Sequence, residues 1–318
     1  MLHVDTATED RGGQRQLAYL LAARPEDAWA GVPDAPLAAI VGPPAVALRP
    51  AGDPRNVAPL RAAAAGFDVV AAHTPHAHGI ALFAGRPLVV HRRVDFPPRH
   101  PWKYRPVAAT IAVSAAVAAI LERAGVRRVH VVHDGVAPLP AAPALSFEGP
   151  RPLWGAAGAL VAHKGHAHLV DAMVDVPGTL LIAGEGPLRE ALTARIAARG
   201  LTGRVRLLGH LPDIAPLFAA VDAFVHPSVE EGLGQVLVEA MAAGCRVVAT
   251  TAGGIPEVVG DAGVLVPPAD ARALAAGMRA ALERPAGQGT AWAARFSVTR
   301  MVEGTARIYE ASAHPGQA

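Results

Sequence analysis

Short apolar runs alternate with longer, alanine-rich stretches along almost the whole chain. The first six runs are Leu2–Thr6, Ala45–Arg49, Asp68–Ala72, Pro87–Arg92, Thr110–Val113 and Val129–Val132. Such runs suit strands buried on both faces, and the segments between them suit covering helices. The alternation predicts a parallel sheet with helices on both sides. Ser114, set between an apolar run and an alanine stretch, reads as the turn from strand to helix. The pattern lapses from Ala137 to Arg151, where four prolines and a glycine interrupt both periods. It resumes at Leu153–Ala157, Gly178–Ala183, Arg204–Leu208, Ala223–His226, Arg246–Thr250 and Gly263–Val266, and Met301–Ser312 has the spacing of a last helix.

The expected organisation is a domain over 1–140, a proline-rich linker over 141–152, a domain over 153–300 and a closing helix and tail over 301–318. The expected fold class is α/β, with two facing Rossmann-like, doubly wound domains. Ligands of such sheets bind beyond the carboxyl ends of the strands, so the chemistry is expected in strand-to-helix loops.

Composition narrows the picture. The chain has 318 residues, 52% hydrophobic and 18% charged, which suits two globular domains and excludes a disordered chain. A net charge of +2 gives no dense basic stripe for nucleic acid. Cys245 is the only cysteine, so no internal disulfide or cysteine-based metal site can form. The start MLHVDTATEDRGG is polar and acidic, and no leader is expected. The uncharged stretch Val107–Leu121 is too short for a bilayer span. The expected location is cytoplasmic, with the inner face of the membrane as a second placement.

The densest motif is His226-PSVEEGLGQVLVEAMAAG-Cys245, which leaves a strand, opens a helix at about Gly234 and closes it at Gly244. Backbone N–H groups around Gly232, Leu233 and Gly234 would converge on an anion at the helix start. Glu231 precedes the helix and Glu239 is expected about two turns inside it, so the carboxylates would reach different parts of one elongated ligand. A second motif, Gly158-ALVAHKG-His166, holds Lys164, one of only two lysines among 29 basic residues. A compact cation on a flexible stem suits a diphosphate. Weaker signals are Gly184-EGP-Leu188, which contains Gly186, and Arg11-GGQ-Arg15, where Gly12 and Gly13 would let backbone approach a phosphate or sugar. Gly209-HLPD-Ile214 and His226-Pro227-Ser228 are expected to shape a base pocket by backbone contacts.

Together with Gly253-GIPE-Val258, these motifs resemble the signature of family 4 retaining glycosyltransferases, with its E-x7-E spacing. The resemblance implies the GT-B fold and transfer from a nucleotide-diphosphate sugar with retention at the anomeric carbon. It gives Glu231 the transferred sugar, Glu239 the ribose and Lys164 the leaving diphosphate. It also puts Gly12 and Gly13 near the pyrophosphate and His73 near the reacting carbon. The implied partners are a nucleotide-sugar donor and a saccharide, lipid-linked or small-molecule acceptor. One departure stands out: most relatives have arginine where this chain has Ala159. That keeps two alternatives open, a nucleotide-sugar-binding protein with impaired catalysis and a sugar-nucleotide epimerase of the same fold.

His91-RRVDFPPRHPWKY-Arg105 gathers Arg92, Arg93, Lys103 and Arg105 with Phe96, Trp102 and Tyr104, and is expected to meet an anionic acceptor or lipid headgroups. The chain lacks the P-loop motif, a G-x-G-x-x-G after its first strand and any D-x-D. A transferase built this way is expected to need no cofactor and no metal.

Overall fold

A computed structural model describes residues 1–9, 12–50 and 53–314. Arg11, which opens the glycine-rich segment of the first half, lies outside them. The chain divides into two units, one formed by Met1–Gly135 with the segment from Val298 and one by Val136–Ser297. In the first unit β1 (Leu2–Asp5), β2 (Ala28–Gly31), β3 (Val46–Ala47), β4 (Val70–Ala72), β5 (Leu88–Arg92), β6 (Ala109–Ala112) and β7 (Val129–Val131) form one sheet in the order β3-β2-β1-β4-β5-β6-β7. In the second, β8 (Leu153–Ala157), β9 (Thr179–Ala183), β10 (Val205–Gly209), β11 (Ala223–His226), β12 (Arg246–Thr250) and β13 (Val264–Val266) follow the order β10-β9-β8-β11-β12-β13. All paired strands in both sheets are parallel. Each sheet grows one way from its first strand and then reverses, at β1/β4 and at β8/β11. These are the switch points where doubly wound sheets open toward ligands.

Burial explains why the pattern was readable. β8 and β9 are buried along their whole length, and Trp154, Leu180 and Ile182 pack with Leu169 of helix His166–Ala172 and with Met173, which caps that helix. Each fully buried aliphatic side chain of this kind contributes about 1.5–3 kcal/mol. Ser114 caps helix Ala115–Arg123, its Oγ accepting from the Val117 N–H at 3.1 Å. The last helix, Val298–Ala313, belongs to the first unit, where Tyr309 is buried among Val69, Ala71, Val89, Ala109 and Ile111. β2 was missed because Ala-Trp-Ala-Gly carries no β-branched residue. It is a strand because Trp29 packs against Leu17, Ala18 and Leu37. Among the described residues, no helix is long and apolar enough to cross a membrane.

Candidate active site

In the second unit the loops after β8 and β11 meet at the switch point. Lys164 ends the turn Ala162–Lys164, and Gly165 follows with φ +69°. A β-carbon at 165 would lie 1.9 Å from the Pro227 carbonyl oxygen, so only glycine lets the two loops touch. The Val229 N–H donates to the His163 carbonyl at 2.7 Å and fixes the contact. Lys164 is thereby carried to Glu231, with Nζ 2.6 Å from Oε2.

The same carboxylate oxygen takes two more partners. His226, the last residue of β11, places Nε2 2.9 Å from Glu231 Oε2, and Ser228 Oγ lies 3.3 Å from that oxygen and 3.0 Å from His226 Nε2. An ionised carboxylate only accepts, so Nε2 carries the hydrogen and Nδ1 is bare. That Nδ1 is buried and has no hydrogen-bond partner. Burial lowers the His226 pKa and outweighs the adjacent carboxylate, which keeps the ring neutral. Burial works to raise Glu231, but the His226 hydrogen bond and the Lys164 charge overcome it and hold the carboxyl well below its ordinary range. The loop after β12 joins in, with the Gly254 N–H donating to the Glu231 carbonyl at 3.0 Å.

Gly232, Leu233 and Gly234 are buried behind Glu231, and Gly234 enters helix Gln235–Ala242 at φ +94°. Glu239 is half-buried and is the fifth residue of that helix, so it lies just over one turn inside rather than two. The helix starts where the sequence places it, and five residues at about 3.6 per turn span only about 1.4 turns. Gly186 has a structural task, since a β-carbon there would meet the Leu160 backbone at 2.7 Å, where the β9 loop rests on the β8 loop. Ala159 is exposed. His166, beside Gly158 and Lys164, is buried, which pushes its pKa down to about 4.

The first unit places histidines at its own switch point. His73 follows β4, and its Nε2 lies 3.0 Å from His3 Nδ1, while His3 Nε2 lies 3.2 Å from Asp27 Oδ2. Burial lowers the pKa of both histidines, so both are neutral. Asp27 accepts from His3 Nε2–H, His3 Nδ1 accepts from His73 Nε2–H, and His73 Nδ1 is left bare, buried and unpartnered. His91 stacks on His73 with ring centroids 4.3 Å apart and meets the Tyr309 hydroxyl at 2.6 Å.

Two of the arginines expected at an anionic surface are not there. Arg92 is buried, donates to the Phe96 carbonyl and lies over the Phe96 ring; Arg93 is paired with Asp134 at 2.9 Å. The Phe96 carbonyl and ring take up the Arg92 guanidinium at the end of β5, and the Asp134 carboxylate draws Arg93 inward. The Arg93 side chain passes 3.5 Å from where a β-carbon on Gly13 would sit. Helix Gly12–Ala23 starts at the paired glycines, Gly12 being exposed and Gly13 half-buried. Lys103 is half-buried and Arg105 exposed. Sequence reasoning missed the side chains of His226 and Ser228, which it had credited with backbone contacts only. Their spacing of five and three residues ahead of Glu231 was the available signal.

Residues 151–284 match the family profile described as glycosyl transferases group 1, and residues 10–138 match that of glycosyltransferase family 4. The chain is 34% identical over 209 residues to the 2-deoxystreptamine glucosyltransferase of Streptomyces kanamyceticus, covering 58% of this chain and 54% of that enzyme. It is 40% identical over 98 residues to the lipopolysaccharide core biosynthesis glycosyltransferase LpsE of Rhizobium meliloti, covering 30% and 29% of the two chains. The chain thus spans about half the length of the first of these relatives and less of the second. Among solved structures, Anabaena HepE in complex with UDP superposes with a TM-score of 0.84 at 24% identity, covering 98% of this chain and 99% of that one. A glycosyltransferase from Rickettsia africae gives 0.80 at 18% identity, covering 100% and 98%.

Proposed function

The chain belongs to the group 1 glycosyltransferases of the GT-B fold, and we propose that it moves a hexosyl group from a nucleotide-diphosphate sugar to an acceptor hydroxyl, with retention and without a metal. The observation that carries this reading is the convergence of Lys164, His226 and Ser228 on one oxygen of Glu231 at the β8/β11 switch point. With Oε2 occupied by these donors, Oε1 remains as the acceptor for a sugar hydroxyl. Lys164 has three N–H bonds and spends one on Glu231, leaving two for the diphosphate. Negative charge grows on that diphosphate as the glycosidic bond breaks, and a preformed cation stabilises the transition state more than the bound donor. Glu239 takes the ribose. With retention by front-face substitution, the departing phosphate accepts the proton of the incoming hydroxyl, so no separate base is required. His73, through its bare Nδ1, is an acceptor for a hydroxyl near the reacting carbon. Gly12 and Gly13 open the helix after β1 and Gly186 lies in the loop after β9; the family resemblance gives these glycines the donor.

HepE was crystallised with UDP and with UDP-glucose, which makes uridine donors the first to test. Calorimetry with UDP and other nucleoside diphosphates, followed by mass detection of transfer, tests the assignment. Retention of the donor's anomeric configuration is read by proton NMR of the product, and an inverted product overturns that part. Activity should be indifferent to EDTA; loss of activity that Mg²⁺ restores would overturn the metal-free reading.

A further inference from the structure

Apart from its histidines, the first unit has a cavity of about 270 Å³ walled by Pro54, Val57, Pro75, Ile80 and Phe83. Its walls come from the segments after β3 and β4, with Lys103 contributed by the segment after β5, all at the carboxyl edge of the sheet. The cavity adjoins the start of helix Pro75–Ala81, whose cap Thr74 immediately follows His73. Its volume equals roughly nine water-sized volumes, enough for a short alkyl chain or one aromatic ring. The charged or titratable lining is Lys103, whose Nζ lies 3.6 Å from where a β-carbon on Gly79 would sit, and the exposed His76. Lys103 makes no ion pair among the described residues. Phe83 is 60% exposed on the cavity wall and Trp102, next to Lys103, is 59% exposed, while Arg99 and Arg105 flank the same turn in solvent.

A pocket for a bare saccharide needs several convergent polar groups, because every hydroxyl taken from water must be paired. This one offers apolar walls and a cation in search of an anion. We propose that it holds the non-reacting part of the acceptor, and that this part is an apolar group carrying one phosphate or carboxylate. Its identity as an acceptor site rests on the transferase reading; its chemistry rests on the lining alone.

Octyl phosphate, below its micelle concentration, is the probe, with octanol and inorganic phosphate as its two halves. Calorimetry should give saturable binding of octyl phosphate roughly tenfold or more tighter than either half. Lys103→Gln should weaken it roughly tenfold. Gly79→Leu fills the cavity from a helical position without a positive φ and should abolish binding, and Val57→Trp does so from a different helix. UDP is titrated into the same samples and should bind the wild type and all three variants alike. Octyl phosphate that binds no better than its halves, or binds equally to wild type and to both filled variants, overturns the proposal. If the wild type binds octyl phosphate but no nucleotide, the donor reading fails and the pocket stands.

Discussion

Two histidines occupy matching places in the two sheets. His73 follows β4 and His226 ends β11, each on the strand that pairs with the first strand of its unit across the reversal of strand order. Both are buried and neutral, and both leave Nδ1 bare. Their neighbours differ. His226 leans on a carboxylate 14% exposed, itself paired with a lysine 23% exposed, so full charges stand at the edge of the solvent. His73 leans on His3, which is sealed and bonded in turn to Asp27, and on His91. The same topological position thus carries paired full charges at the edge of the solvent in one unit and a chain of neutral histidines in the other. What separates them is whether charge is left within reach of a ligand.

The largest expected effect is on the charged side of this comparison. Lys164→Ala should lower turnover by roughly two to three orders of magnitude while weakening UDP binding much less, because the lysine acts on charge that develops during bond breaking. Steady-state kinetics with calorimetry would break the assignment if affinity fell as far as rate. Glu231→Gln should reduce turnover roughly tenfold or more with UDP affinity near the original. Glu239→Gln should mainly raise the donor's KM by about tenfold. The reverse split would exchange the roles of the two carboxylates.

The neutral side is tested by acid. Burial lowers the pKa of His3, His73, His78 and His91 in the first unit, and of His166 and His226 in the second, to about 4 for His78 and His166. Below about pH 6.5 the unfolded chain binds protons at these sites and the folded chain does not. Stability present above that pH is therefore lost as pH falls toward the folded values. Hydrogen exchange at pH 7 and pH 5 should show the first unit losing more protection, since it holds four of the six. Equal loss in both units would remove the distinction drawn above. Tyr309→Phe leaves His91 Nε2 without its partner and should cost about 1–3 kcal/mol, lowering Tm by roughly 2–8 °C without changing UDP binding. Smallest of all, Ala159→Arg adds the cation that the family resemblance implies at this place, and should raise kcat/KM a few-fold. No gain would show that Lys164 already suffices.

Much of this was legible in the sequence because it is local. The E-x7-E segment and the Lys164 turn each lie within one strand-loop-helix unit, and Ser114 sits beside the helix it caps. What was not legible depends on pairs far apart in the chain. Arg93 reads as a surface cation until Asp134, 41 residues on, is folded against it. The His3–His73 contact spans 70 residues, and Trp29 makes a strand of its neighbours only once Leu17 and Leu37 pack on it. No periodicity encodes such partnerships.

The return of helix Val298–Ala313 to the first unit also governs the order in which the protein can be made. A ribosome delivers the strands around Val69, Val89 and Ile111 early, but Tyr309, which fills the space between them, comes only after all of Val136–Ser297. The nascent first sheet must wait with part of its apolar face uncovered while the second unit is completed. The half that begins first is finished last, and its exposed sheet face is where a chaperone would be needed during synthesis.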